Sequence, residues 1–209
     1  MGRSLKTVTA AITVLTVLAW LFAALLGLQD YAGAALGFIP ARVTGAMTSW
    51  PAVVTWLTPL TATLVHANLL HLFTNMLVFA WCGFAVERAL GRPALLIIYV
   101  VGAYAAAAAQ WLSDPSGVVP MIGASGAISA VMAAFALSFG RPRQFSKSPR
   151  ANRWLHIGHL LVTWVVLQVA VGWAAGMQGY LLATPAHIGG FIAGLLLQRP
   201  LLLWRYRTA

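Results

Sequence analysis

The sequence predicts an all-α membrane protein, a bundle of six transmembrane helices with both termini in the cytoplasm. Three observations lead there. Of the 209 residues, 61% are hydrophobic and 8% charged, with a mean hydropathy of +0.85, whereas a soluble domain carries about 25% charge. Several apolar runs approach or exceed the ~20 residues that cross a bilayer as helix, and the strict alternation that marks β-barrel strands is absent. Basic residues, finally, fall on alternate connections between these runs.

A first run, about 7–28, holds no charge between Lys6 and Asp30. It is longer than the ~7–15-residue apolar core of a signal peptide, so it reads as a retained first helix. Residues 29–65 form a long connection with Pro40, Pro51 and Pro59. Trp50 and Trp56 within it fit an interfacial belt, which places this first loop in the headgroup layer. Further helices are expected at about 68–86, 94–111, 122–140, 155–176 and 185–203. Glu87, Arg88 and Gly91 end the second; Asp114, Pro115 and Gly117 turn the chain after the third; a basic stretch, RPRQFSKSPRANR, precedes the fifth. Residues 1–209 thus read as one transmembrane domain.

The net charge is +10. Twelve of the thirteen Lys and Arg residues fall at the N-terminus, in the second and fourth connections and in the tail, and only Arg42 falls on the other side. That asymmetry is a topology signal with some attraction to anionic membrane lipid, and it argues against nucleic acid as a partner. Cys82 stands alone and forms no internal disulfide. His156 and His159 have no further ligands placed near them, and neither H-E-x-x-H nor C-x-x-C occurs, so no metal site is expected.

Intramembrane polar residues need a partner or a task, because an unsatisfied polar group in hydrocarbon costs several kcal/mol. Ser125 sits between Gly123 and Gly126 at the start of an apolar segment. The glycines allow close approach and a helix start supplies free N–H groups, which suits acyl transfer. The same glycines suit helix packing, since Gly126, Ala130 and Ala133 make a small-residue face. In the predicted orientation the second, fourth and sixth helices all begin on the non-cytoplasmic side, which brings His71, Asn75, Ser125 and His187 to one depth. His71 and Asn75, four apart, share a helix face and both offer donors. His66 falls off that face and ties down the preceding loop. Gly190 and Gly194 follow His187 on its own face and would let that helix approach the fourth. The acids number three, Asp30, Glu87 and Asp114, and none is placed to orient His187. A serine hydrolase built here would work with a dyad, and hydrolysis would rise as pH passes upward through the imidazole's titration, ordinarily near 6.5.

Four stretches, residues 66–75 (HANLLHLFTN), 83–91 (GFAVERALG), 123–126 (GASG) and 186–194 (AHIGGFIAG), resemble in order the motifs of rhomboid intramembrane serine proteases. The resemblance spans roughly residues 8–204. It implies a rhomboid-like six-helix fold with Ser125 as nucleophile and His187 as general base and acid. His71, Asn75 and the Ser125 backbone N–H are implied to bind the oxyanion. Substrates are implied to be transmembrane proteins with a single span, cut in or near the membrane at a small residue through an acyl-enzyme, without a cofactor. The implied location is a bacterial-type inner membrane, with the site near the non-cytoplasmic side. Glu87 and Arg88 read as structural, capping the cytoplasmic end of the bundle. Two departures stand out. A tyrosine common four residues after the serine is replaced by Ser129, whose hydroxyl is one candidate to support the histidine ring. The Trp-Arg pair common in the first loop is missing, since Arg42 follows Ala41. The competing readings are a small-solute transporter, a haem protein ligated by His71 and His187, and a relative that binds membrane segments without cutting them.

Overall fold

In a computed structural model of the chain, residues 7–47, 52–141, 143–177 and 182–207 are described. The expectation for Trp50, and the charges of Arg3 and Lys6, lie outside them. Helix α1, Val8–Leu25, starts where the Thr7 side chain accepts a hydrogen bond from the Ala10 N–H at 3.1 Å, as an N-cap does. It stops three residues short of the expected end because Gly27 turns the chain with φ +66°. Short helices α2 (Gln29–Leu36), α3 (Pro40–Val43) and α4 (Thr58–Thr61) break up the first loop, with Pro40 and Pro59 in opening turns where their missing N–H costs nothing.

The membrane helices that follow are α5 (Leu69–Leu90), α6 (Arg92–Ser113), α7 (Ser125–Phe139), α8 (Pro149–Met177) and α9 (Thr184–Arg205). Helix α5 runs a turn past its expected end because Glu, Arg, Ala and Leu all favour helix; Gly91, at φ +92°, ends it. Helix α8 begins six residues earlier than expected. Pro149 opens it, and the Ser148 hydroxyl caps the Ala151 N–H at 3.5 Å, so Arg150 and Arg153 belong to the helix rather than to a loop. Five helices, α1, α5, α6, α8 and α9, are long and apolar enough to cross a membrane. The fourth expected span, 122–140, is shorter than predicted. Helix α7 has 15 residues, a length of about 22 Å against a hydrocarbon core of about 30 Å.

That short helix is the centre of the bundle. Its residues from Gly126 to Val131, with Ala133 and Ala134, are buried, and it packs against α5, α6 and α9. The close approach has a simple cause: a methyl group at Gly190 would overlap the carbonyl oxygen of Gly126, and one at Gly194 would overlap that of Ala130. On the opposite face of α9, a methyl at Gly189 would meet the Ala105 carbonyl of α6. The exterior is apolar instead, with Leu25, Trp81 and Trp173 each at least 70% exposed, the inverse of a soluble fold.

At the far end of α5 the buried Glu87 carboxylate accepts the Val8 N–H at 3.0 Å, the Thr9 N–H at 2.9 Å and the Thr9 hydroxyl at 2.7 Å. A carboxylate at the start of α1 satisfies helix N–H groups and opposes the positive end of the dipole. Arg88, expected to share this capping, is exposed; Arg92 stands 3.5 Å from Glu87 in its place.

Candidate active site

The chain enters α7 through a turn that only glycine makes without strain. Gly123 has φ +109°, and a Cβ there would lie 2.8 Å from the His71 ring. The first loop holds the turn from one side. Met121 exchanges backbone hydrogen bonds with Phe38 at 3.0 and 2.8 Å, and the Gly123 N–H donates to the Ala62 carbonyl at 2.9 Å. Within the loop, Arg42 Nη2 donates to the Ala34 carbonyl at 2.8 Å and the Thr61 hydroxyl to Leu36 at 2.7 Å. The loop is therefore anchored without a Trp-Arg pair. Ser125 opens α7 half-buried, and its N–H belongs to the first turn, where no intrahelical acceptor exists.

The glycine contacts between α7 and α9 bring two distant residues together: Ser125 Oγ lies 2.7 Å from His187 Nε2. The other ring nitrogen, Nδ1, lies 2.7 Å from Oε1 of Gln168 on α8. Trp164, one turn earlier on α8, donates its indole N–H to the His187 carbonyl at 3.2 Å and stacks on Phe191 with ring centroids 4.7 Å apart. His187 and Gln168 are both 8% exposed. The candidate support from Ser129 is not realised. Its hydroxyl donates to the Ser125 carbonyl at 2.8 Å, the i−4 acceptor within reach on its own helix, so the ring is held by Gln168.

His71 and Asn75 occupy the same end of the bundle. Asn68 caps α5 by accepting the His71 N–H at 2.8 Å. Asn75 Nδ2 donates to the His71 carbonyl at 2.9 Å, and Asn75 borders a cavity of about 180 Å³ with Ser125 and His187. The His71 ring faces Gly123. Among the described residues neither side chain is hydrogen-bonded to the Ser125 hydroxyl.

His66 reaches beyond its loop. Its ring Nε2 accepts the Ala124 N–H at 3.5 Å, its carbonyl accepts the Trp20 indole at 3.0 Å, and its ring meets His71 edge-on at 4.9 Å. Burial, with nearby His71 adding, pushes the His66 imidazole down to about 4.

Sequence reasoning missed Gln168. The signal was present, since it is the one amide in the apolar run LVTWVVLQVAVGW, and an amide within the membrane needs a partner.

A family model described as a rhomboid domain matches residues 54–204, more than two thirds of the chain. The chain is 31% identical over 137 residues to a protein named rhomboid protease GlpG from Salmonella choleraesuis (strain SC-B67), a match covering 63% of this chain and 43% of that protein. It is 27% identical over 135 residues to the protein of that name from Haemophilus influenzae, covering 64% of each. The Salmonella newport protein is 30% identical over 137 residues, with 63% and 43% covered. The chain thus spans less than two thirds of the length of these curated relatives. The stretch matched by the family model takes in α5, α6, α7, α8 and nearly all of α9, with His71, Asn75, Ser125, Gln168 and His187 on them, and on that match the chain belongs to the rhomboid family.

Proposed function

We propose that this chain is an intramembrane serine endopeptidase that cuts single-pass transmembrane proteins in or near the bilayer. The observation that carries the reading is the 2.7 Å approach of Ser125 Oγ to His187 Nε2 at one end of an otherwise apolar bundle. A hydroxyl is a weak nucleophile until an adjacent base takes its proton, and this distance lies within the range that such a transfer needs. The names of the curated relatives, rhomboid proteases, support the same chemistry.

His187 Nε2 takes the Ser125 proton as Oγ attacks the scissile carbonyl carbon. The carbonyl oxygen becomes an oxyanion, stabilised by the Ser125 N–H, an Asn75 amide hydrogen and the His71 ring N–H. As the intermediate collapses, His187 returns the proton to the leaving nitrogen, the C–N bond breaks and Ser125 holds an acyl ester. Water entering the 180 Å³ cavity gives a proton to His187 and attacks the ester carbon; the C–Oγ bond then breaks as His187 returns that proton to Ser125 Oγ, which restores the serine and releases the new carboxylate. No step requires a metal or cofactor. The substrate's peptide bond must leave its helix to reach Oγ, which favours small residues that unwind at little cost.

The basic residues favour both termini in the cytoplasm. The starts of α5, α7 and α9, and the site with them, then face the non-cytoplasmic side of a bacterial inner membrane. Cleavage of a model single-pass protein in proteoliposomes tests the reading. Ser125→Ala and His187→Ala, folded by circular dichroism, are expected to lose at least ~10³-fold in rate. Undiminished cleavage by either variant would overturn it.

A further inference from the structure

We propose that Gln168 is a positioning residue that sets the tautomer of His187, keeping the proton on Nδ1 and the lone pair on Nε2. The proposal rests on the hydrolytic reading of Ser125 and His187. A neutral imidazole carries one N–H and one lone pair, and which nitrogen holds the proton is decided by what the other one meets. Here each nitrogen has a single close partner at 2.7 Å, the Ser125 hydroxyl at Nε2 and the Gln168 carbonyl oxygen at Nδ1. A carbonyl oxygen only accepts. It therefore favours Nδ1–H, and only that form leaves Nε2 free to take the Ser125 proton. The opposite tautomer would point an N–H at the hydroxyl and a lone pair at the amide oxygen.

Gln168 is placed to do this without competition. Trp164, Gln168 and Gly172 lie at four-residue intervals along one face of α8. Trp164 bonds the His187 carbonyl, and a methyl at Gly172 would lie 2.6 Å from the Thr184 hydroxyl, so α8 is seated on α9 one turn to either side. Amide and ring are both buried and both border the 180 Å³ cavity, and the packing of α8 on α9 holds them together there. Among the described residues no side-chain carboxylate is in reach. Asp30 is in α2, Glu87 is at the opposite end of α5, and Asp114 lies beyond α6. Among the described residues, the titratable group close enough to act electrostatically on His187 is His71 of α5. Helix α7 presents the Ser125 hydroxyl, α8 an indole and an amide, and α6 alanines next to Gly189. In triads a carboxylate holds this place and stabilises the imidazolium. An amide orients the ring without that charge.

The test uses the full chain in micelles with ¹⁵N-labelled histidine, the His187 ring signals being identified by their loss in His187→Ala. Wild type is expected to show Nδ1–H, and Gln168→Leu a mixture of tautomers with kcat lowered about tenfold or more at little change in KM. Gln168→Glu is expected to keep Nδ1–H and cleavage while moving the acid limb of the kcat/KM profile upward by about one pH unit, because a carboxylate favours the protonated ring. Nε2–H in wild type, a Gln168→Leu chain with unchanged tautomer and rate, or an unshifted limb in Gln168→Glu would overturn the proposal. If Gln168→Leu does not fold, the wild-type tautomer and the Gln168→Glu profile decide. A wild-type chain with Nδ1–H that cleaves nothing would sink the hydrolytic reading and leave the positioning by Gln168 standing.

Discussion

Asn75 has two amide hydrogens, and one goes to the His71 carbonyl; the second can reach the cavity it shares with Ser125. Asn75→Ala is therefore expected to lower kcat on the order of 10²-fold with little change in KM, the pattern of a donor used chiefly in the transition state. A steady-state comparison on one substrate checks it. His66 gives a pH prediction. Its imidazole, pushed down to about 4 by burial, binds its proton less readily folded than unfolded, where 6.5 applies. Its contribution to stability is complete above about pH 6.5 and is lost as pH falls toward 4. Protonation would also turn the acceptor facing the Ala124 N–H into a donor. Thermal unfolding in detergent should show this decline, and His66→Gln should make it shallower. Residue by residue, Ser125, His187, His71 and Asn75 were legible because helical spacing and shared depth pointed at them. Gln168 was legible as a lone amide but not as a partner of His187, since a nearly uniform apolar helix gives no periodicity to say which face docks on α9. Ser129 misled because its own helix offered a nearer acceptor than the histidine ring.

The decisive element is α7, and its packing depends on the absence of side chains. At Gly194 a side chain would have to displace the Ala130 backbone. Gly194→Leu should drive α9 off α7, part His187 from Ser125 and remove more than ~99% of activity, at a stability cost of about 1–3 kcal/mol or more. Gly158→Ala on α8, where a Cβ meets nothing within 4 Å, is the control and should be silent in the same assay and melting curve. Glu87 acts between elements. Glu87→Ala leaves the Val8 and Thr9 N–H groups without their acceptor and should lower stability by about 1–3 kcal/mol, read as an earlier midpoint in denaturant. Helix positions followed from apolar runs and from Gly and Pro punctuation. The ends did not, for local reasons: Ser148 caps earlier than a hydropathy reading looks, and Gly123 delays α7 by a backbone conformation that residue counting does not register.

For the molecule as a whole, composition decided the class, because a chain with 8% charge has too little polar surface to cover itself in water. What composition did not contain is where along the bundle the candidate site lies. That position comes from a central helix about 22 Å long whose start is reached by an extended segment bonded to the first loop. The orientation argued from basic residues has its own test. In a Cys82→Ala background, Phe145→Cys should react with an impermeant maleimide only from the cytoplasmic side and Gly117→Cys only from the other; the reverse pattern would invert the topology. The measurement that bears most directly on the central claim is mass spectrometry of the chain after treatment with a fluorophosphonate, which reports whether one serine is activated and by what. The account predicts a single adduct on the peptide containing Ser125, lost in His187→Ala. An adduct on another serine, or equal labelling of Ser125 without the histidine, would contradict it.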